Sequence, residues 1–298
     1  MPAAEPPPLP RSALALWLAV LCLIWGSTWW AIRICLQDHP PLSSAALRFL
    51  IAGIAMAAVT PWLQRRESAP PPPAWLWLAA GGTNFAGSYG VLYVAETAVP
   101  SGIAAVLWAV FPLLMAGSGV CLLGERLRAV QLLGFVVAFA GIVTVFAGGF
   151  GDAGEHVGMA ALLLVSPLVS AAGTTLVKLY GSGTSSVLLN RNGMLFGALL
   201  LTIAAFVGER PLALPWTWRV VAATLYLALI GTTLAFGVYF RLLRSAPASM
   251  LSLITYVTPV LAMLLGAAVG DGDMTVAAWL GTALVAGGVA LVVRRPRR

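Results

Sequence analysis

The chain has 298 residues, of which 60% are hydrophobic and 9% are charged, and its mean hydropathy is +0.94. A soluble domain carries about 25% charged residues because its surface faces water. This composition therefore excludes an ordinary soluble protein and indicates a polytopic membrane protein. The net charge of +7 comes from short arginine clusters without interleaved aromatic residues, which argues against nucleic-acid binding.

The chain divides into apolar runs that are long enough to cross a bilayer. Residues 1–11 are a proline-rich tail that we expect to be disordered. We expect the run after it to be a retained helix rather than a signal peptide, because it is long and lacks an A-x-A cleavage site. The ten runs lie near 12–36, 42–63, 74–95, 101–123 and 129–148, and then near 157–179, 187–207, 217–241, 248–269 and 275–293.

The second half of the chain repeats the first at a constant shift of 147 residues. Pro100 aligns with Pro247 and Pro112 with Pro259. Three glycines of the first half (Gly119, Gly134 and Gly141) also align with glycines of the second half (Gly266, Gly281 and Gly288). We therefore predict one repeat over 12–148, an extracytoplasmic linker over 149–156, a second repeat over 157–293 and a basic cytoplasmic C-terminus over 294–298.

The basic residues predict the orientation of these runs. If the N-terminus is cytoplasmic, 13 basic residues fall on the cytoplasmic side and 4 on the opposite side. The positive-inside rule then places both termini in the cytoplasm. Since each half has five runs, an odd number, the second half must insert upside down. The predicted fold is an all-α membrane protein with ten transmembrane helices, arranged as two inverted-topology five-helix repeats around a central cavity.

Pro112 and Pro259 lie in the middle of matching runs in the two halves. Proline removes a helical hydrogen bond and kinks a helix, and matched interruptions in the two halves of a transporter point to its binding site. Both prolines are therefore candidate hinges. The alternative is a pair of packing kinks that touch no ligand.

Polar and aromatic residues near these prolines and in the third run are candidate substrate ligands. Asn84 is too costly to face lipid, and it shares a helix face with Ser88. The surrounding glycine-rich stretch, Gly81–Gly90, is better explained by close helix packing than by ligand binding. The candidate set is Trp25, Asn84, Ser88, Tyr89, Trp108, Ser252, Thr255 and Tyr256.

Arg48 is a strong base inside an apolar run, about two turns from its outer end. Its guanidinium can snorkel to the membrane surface, or it can pair with another group and act as a gate. Glu96 ends the third run on the same side and is a candidate partner and gating residue.

Sequence signatures of catalysis or metal binding are missing. The two histidines lie far apart in predicted loops, the three cysteines lack metal-site spacing, and Walker A and hydrolase motifs do not occur. We therefore expect no catalytic residue, no metal and no cofactor. The expected partners are a small-molecule solute and membrane lipid; the oligomeric state is left open, with a monomer as one candidate. An intramembrane enzyme, a scaffold and a channel subunit are the competing classes.

Four motifs occur together in order: W-G-S-T-W-W from Trp25, L-R-F-L-I-A-G around Arg48, G-V-L-Y-V-A-E-T-A-V-P-S-G ending at Gly102, and G-E-R-L followed by G-x6-G. They resemble the EamA-type transporters of the drug/metabolite transporter superfamily. The resemblance implies a bacterial inner-membrane exporter with ten helices and a central cavity. It further implies export of small metabolites, chiefly amino acids including aromatic ones. The inverted repeat predicts alternating access, and the missing Walker A motif argues against an ATP-driven pump. A proton-coupled exporter of drugs or toxic cations is the alternative. The second half has G-D-G-D where the first has G-E-R-L, so only Glu125 matches the family's acid.

Overall fold

A computed structural model describes residues 11–67, 69–123, 128–148, 156–209, 214–245, 253–270 and 275–293. Within these ranges every regular element is a helix. In chain order the helices are α1 (Arg11–Asp38), α2 (Pro41–Glu67), α3 (Ala74–Ala80), the π-helix π1 (Gly81–Gly87), α4 (Ser88–Glu96), α5 (Ser101–Trp108), α6 (Phe111–Leu123), α7 (Ala129–Gly148), α8 (Val157–Leu163), α9 (Val165–Tyr180), α10 (Ser186–Gly208), α11 (Trp218–Leu225), the π-helix π2 (Tyr226–Leu234), α12 (Ala235–Ser245), α13 (Leu253–Val269) and α14 (Val276–Val293).

Six stretches of the described chain are long and apolar enough to cross a membrane: Ser12–Asp38, Pro41–Glu67, Ser101–Leu122, Val157–Tyr180, Ser186–Gly208 and Trp218–Tyr239. Ala129–Val145, Val257–Val269 and Val276–Leu291 are shorter apolar helices. Helices satisfy their own backbone hydrogen bonds, which is a requirement inside hydrocarbon. The prediction of an all-helical, multi-pass membrane protein is therefore confirmed.

The fourth predicted run, near 101–123, is broken, where the sequence predicts a proline kink inside a single helix. A turn at Ala109–Val110 separates α5 from α6, and Pro112 is the second residue of α6 rather than a kink inside a helix. Proline fits the first turn of a helix because the N–H that it lacks would have no helical partner there. Its counterpart Pro259 lies inside the uninterrupted helix α13. The two matched prolines therefore occupy different helical positions.

The sixth run is also interrupted, at Leu164, which separates α8 from α9. Pro167 is the third residue of α9 and again lies in a first turn. Because the breaks of the fourth and sixth runs lie next to Trp108 and Ser166, they meet at the same place in the fold.

Helices from the two halves pack in antiparallel pairs. In the pair formed by α7 and α14, a Cβ added at Gly141 would lie 2.7 Å from the Gly281 carbonyl oxygen, and one added at Gly288 would lie 2.5 Å from the Gly134 carbonyl oxygen. The earlier glycine of each helix therefore meets the later glycine of the other. Small residues allow this close backbone approach. The helices α2 and α10 form a second such pair, in which Gly53 packs against Leu195.

The third run of each half contains a π-helical segment, π1 in the first half and π2 in the second. A shift of 147 residues carries Gly81–Gly87 onto the last seven residues of Tyr226–Leu234. Such segments are rare and often accompany functional sites, because they turn side chains away from the regular helical positions. They lie where the halves meet: π1 packs on α9 and α10, and π2 packs on α1 and α2.

Several sequence predictions fall outside the described residues. They are the disorder of the tail over 1–10, the linker over 149–155, the acid Glu125 and the C-terminus over 294–298. The helix α1 begins at Arg11, at the predicted end of the tail.

Candidate functional site

Trp25 lies where α1 meets the second half of the chain. Its indole Nε1 donates a hydrogen bond to the Gly231 carbonyl oxygen in π2 at 3.2 Å. Its ring packs against Phe236 and Tyr239 of α12, with centroid distances of 5.9 and 5.5 Å. Because the indole is only partly buried, part of its ring remains exposed where the two halves meet. Beside it, the Ser27 and Tyr226 hydroxyls lie 2.7 Å apart.

Trp108 and Ser88 are brought together by a residue that the sequence analysis did not select. The Trp108 indole donates a hydrogen bond to Ser166 Oγ at 3.1 Å, and the Ser166 and Ser88 hydroxyl oxygens lie 3.0 Å apart. The indole stacks on Phe111, with centroids 4.9 Å apart and planes 17° apart. Trp108 and Ser88 belong to the first half and Ser166 to the second. The three side chains therefore form a polar link between the halves at the two helix breaks.

Asn84 lies in π1 against the second half. Its side-chain Oδ1 is buried and accepts no hydrogen bond from the part of the chain that the structure describes. Across from it is Gly173 of α9, where an added Cβ would lie 2.6 Å from Asn84 Oδ1 and 1.9 Å from Thr83 Oγ1. A buried acceptor without a donor costs roughly 1–3 kcal/mol. Asn84 can therefore gain a hydrogen bond from a ligand without losing one within the protein.

Arg48 points into the protein, so snorkelling to the membrane surface was the wrong alternative. Its side chain is 2% exposed, Nε donates to Thr232 Oγ1 at 3.1 Å, and Nη1 donates to the Tyr93 hydroxyl at 3.4 Å. The guanidinium carbon lies 4.9 Å from the centre of the Tyr89 ring and 5.4 Å from that of Phe49. These contacts place a fixed positive charge among α2, α4 and π2, because a guanidinium stays protonated.

Glu96, the candidate partner of Arg48, is fully buried at the end of α4. Glu96 and Arg48 both lie close enough to Tyr93 and Cys35 to act on them electrostatically, so the two side chains belong to one cluster. Arg33 approaches the same helix end and donates to the carbonyl oxygens of Glu96 (2.8 Å) and Thr97 (2.9 Å). The cluster ties α1, α2 and α4 together.

The remaining candidates belong to α13 or precede it. Ser252 lies outside the described residues, and Thr255 and Tyr256 are described only as part of the helix α13. Pro259 is buried in that helix. The structure therefore gives a position for the helix but no contact for the three polar candidates.

The loop between α1 and α2 packs on the loop between α10 and α11. His39 is 3% exposed, and its Nε2 lies 3.2 Å from the Pro215 carbonyl oxygen. Burial lowers the pKa of the His39 imidazole below its ordinary value of 6.5. The Thr217 hydroxyl donates to Asp38 Oδ2 at 3.0 Å in the same contact. The first and second halves therefore also meet in these loops.

Sequence reasoning missed Ser166, Thr232 and Tyr93, which bind the side chains it did select. Ser166 comes directly before Pro167, and the dipeptide Ser-Pro is a turn signal that could have drawn attention to it. Thr232 and Tyr93 carry no such signal, because a single hydroxyl in an apolar helix is common. Across the described residues, no group of three or more histidine, cysteine, aspartate or glutamate side chains could hold a metal ion.

The chain matches the model of the EamA-like transporter family twice, over residues 13–147 and 158–294. It is 34% identical over 284 residues to the uncharacterized inner membrane transporter YedA of Escherichia coli strain K12, covering 92% of this chain and 89% of that protein. It is 27% identical over 287 residues to the uncharacterized transporter YvbV of Bacillus subtilis strain 168, covering 95% and 92%. A solved crystal structure aligns with a TM-score of 0.68 at 24% identity, over 95% of this chain and 96% of the other, and shows the fold alone. This chain belongs to the EamA-like transporter family.

Proposed function

We propose that this protein exports small metabolites across the inner membrane, chiefly amino acids including aromatic ones, by alternating access without ATP. A transporter role follows from the family. The solute and the mechanism are the proposal, and they are supported by the side chains that lie between the two halves.

The proposed architecture is ten transmembrane helices in two inverted five-helix repeats around a central cavity. Two antiparallel pairs support the inversion. The helices α7 and α14 occupy equivalent places in the repeat and pack with opposite directions, as Gly141 and Gly281 indicate. The family model also matches once in each half. An inverted repeat places a transported solute between the halves, near the middle of the membrane.

The proposed orientation has both termini in the cytoplasm, because 13 of the 17 basic residues then lie on that side. The linker over 149–156 would be extracytoplasmic. Fusions of alkaline phosphatase to the linker and to the C-terminus test this orientation. We expect phosphatase activity from the linker fusion alone, and the reverse pattern would refute the orientation.

The observation that carries the solute class is the buried Asn84 Oδ1, which lacks a donor among the described residues. A carbonyl oxygen accepts hydrogen bonds from an ammonium group, such as that of an amino acid. The partly buried rings of Trp25, Tyr89 and Trp108 offer apolar and π surfaces for an aromatic side chain. Arg48 supplies positive charge near the same surface, and electrostatic attraction to a carboxylate is strong in a medium of low dielectric constant.

Counterflow in proteoliposomes tests this proposal. Proteoliposomes that contain the purified protein are loaded with unlabelled amino acid, and the entry of a radiolabelled aromatic amino acid into them is measured. We expect saturable exchange, and we expect Asn84→Leu to raise KM roughly tenfold, because a lost hydrogen bond to a charged group costs about 1.5–3 kcal/mol. Trp108→Ala and Tyr256→Ala are expected to lower exchange at unchanged membrane expression.

Thr144→Ala is the matched control, because among the described residues the Thr144 hydroxyl bonds only within its own helix, to the Ala140 carbonyl oxygen. We expect its KM to equal that of the wild type. If no amino acid exchanges in either direction, the proposed solute class is wrong. Flux that does not saturate would instead indicate a pore.

A second candidate is export of drugs or toxic cations coupled to protons. Glu96 favours it, because a fully buried carboxylate can carry a proton within the membrane. Arg48 opposes it, because its fixed positive charge repels a cationic solute. An imposed pH gradient separates the two candidates: exchange of amino acids that ignores the gradient supports uniport, and cation flux driven by the gradient supports the second candidate.

A further inference from the structure

A carboxylate from the first half of the chain caps a helix of the second half. Glu67 is the last residue of α2, and its carboxylate accepts hydrogen bonds from the Ser186 N–H (2.9 Å), the Val187 N–H (3.2 Å) and the Ser185 hydroxyl (2.5 Å). The Ser186 hydroxyl donates to the same carboxylate. Glu67 therefore satisfies N–H groups in the first turn of α10 that have no partner within that helix.

The reciprocal contact occurs at the other end of the same helix pair. Glu209 directly follows α10, and its carboxylate accepts hydrogen bonds from the Leu42 N–H (2.5 Å), the Ser43 N–H (2.9 Å) and the Ser43 hydroxyl (2.6 Å). These groups belong to the first turn of α2. A negative charge at a helix N-terminus is further stabilised by the helix dipole. The N-terminus of each helix is thus capped by a glutamate at the C-terminal end of the other helix.

The two caps are separated by the length of the helix pair. The helix α2 has 27 residues, which at 1.5 Å per residue is about 40 Å. One cap therefore lies near each face of the membrane. The hydrogen bonds of both caps are formed in the same conformation of the protein.

Alternating access requires contacts between the halves to open on one side of the membrane while contacts on the other side close. Contacts that are closed at both ends of one helix pair do not behave as two alternating gates. We infer that Glu67 and Glu209 are positioning residues that hold α2 to α10 at both membrane faces, so that this pair is a stationary axis about which the rest of each half moves. This inference rests on the proposed alternating-access function.

Covalent bridges at the two caps test the inference. In a chain whose native cysteines, Cys22, Cys35 and Cys121, are replaced by alanine, one cysteine pair replaces Glu67 and Ser186, and a second pair replaces Ser43 and Glu209. A short bifunctional thiosulfonate then joins each pair. We expect amino-acid exchange by the doubly bridged protein to stay within about twofold of the same protein before bridging. A loss of tenfold or more on bridging either pair would overturn the inference.

Amide variants give a second measurement with milder changes. Glu67→Gln and Glu209→Gln weaken one cap each. In the same chain without native cysteines, Ser27→Cys at the surface between the halves reports access to a membrane-impermeant maleimide from either side of vesicles. If the axis is stationary, both variants lower the thermal stability and neither changes the ratio of labelling from the two sides by more than about twofold. Opposite shifts of that ratio in the two variants would make the caps gates and overturn the inference.

These outcomes are distinct from a failure of the proposed function. If the wild-type protein exchanges no solute, the proposed function fails, while the labelling ratio still tests the axis. If the unbridged protein exchanges solute and the bridged protein does not, only the inference about Glu67 and Glu209 fails.

Discussion

Gly288→Ala tests how closely the two halves must approach along α7 and α14. In the structure, an alanine Cβ at this position would lie 2.3 Å from the Ala138 backbone nitrogen and 2.5 Å from the Gly134 carbonyl oxygen. Both neighbours are backbone atoms, so no side chain can rotate to make room. Since real Cβ contacts essentially never fall below 3.0 Å, the helices must move apart by at least about 0.7 Å.

The expected cost follows from this displacement. Overpacking a tight contact costs typically about 1–3 kcal/mol, and separated helices lose dispersion contacts along their length. A destabilisation of about 2 kcal/mol corresponds to a fall in Tm of roughly 4–8 °C for a chain of moderate size. We therefore expect Gly288→Ala to lower the Tm of the purified protein by several degrees.

Thermal unfolding in detergent, followed by loss of the monodisperse peak in size-exclusion chromatography, measures this change. The adjacent Gly287→Ala is the matched control, because a Cβ there meets no atom within 4 Å. We expect its Tm to equal or slightly exceed that of the wild type, since alanine favours a helix by about 0.5–1 kcal/mol over glycine. Equal Tm values for both variants would refute the reasoning that glycine at 288 is required by backbone contact.

Three further predictions concern the surface between the halves. Gly173→Ala is expected to lower transport because its Cβ would overlap Thr83, whereas Gly158→Ala, which meets no atom within 4 Å, should transport as the wild type does. Arg48→Lys is expected to lower transport roughly tenfold in proteoliposomes, because a compact ammonium cannot reach both hydroxyl partners of the guanidinium. Transport at the wild-type rate would contradict a role for these two guanidinium hydrogen bonds. Because the pKa of His39 is lowered on folding, protonation at acid pH favours the unfolded chain. The Tm should therefore fall as the pH drops below 6.5, and it should fall less in His39→Gln. Equal pH profiles of Tm in the two proteins would exclude His39 as the cause of the acid destabilisation.

Composition and hydrophobic patterning were sufficient to predict that this is a multi-pass membrane protein. Lipid covers most of the surface of a polytopic protein, so the shortage of charge and the long apolar runs predicted membrane helices without reference to packing. The motif order around Trp25, Arg48 and Gly102 predicted the family, which the two matches of the family model confirm. The ten-helix count and the inverted repeat remain predictions.

Helix breaks were harder to predict than helices. Proline at 112 indicated an interruption, but a proline can occupy either a kink or the first turn of a helix, and here it lies in a first turn. At the matching position, Pro259 lies in an unbroken helix. A proline stands at the matching position in both halves, so the proline alone does not decide between the alternatives.

Pairings between distant residues were decided by the tertiary structure alone. The sequence by itself determined the apolar runs, the repeat and the set of polar residues that cannot face lipid, because these depend on transfer free energies and on spacing along one chain. It did not determine that Glu67 caps α10, that Glu209 caps α2 or that Ser166 binds Trp108, because each contact joins residues from different helices. Such contacts depend on the direction in which each helix packs and on where its turns end, and these are properties of the assembled helices.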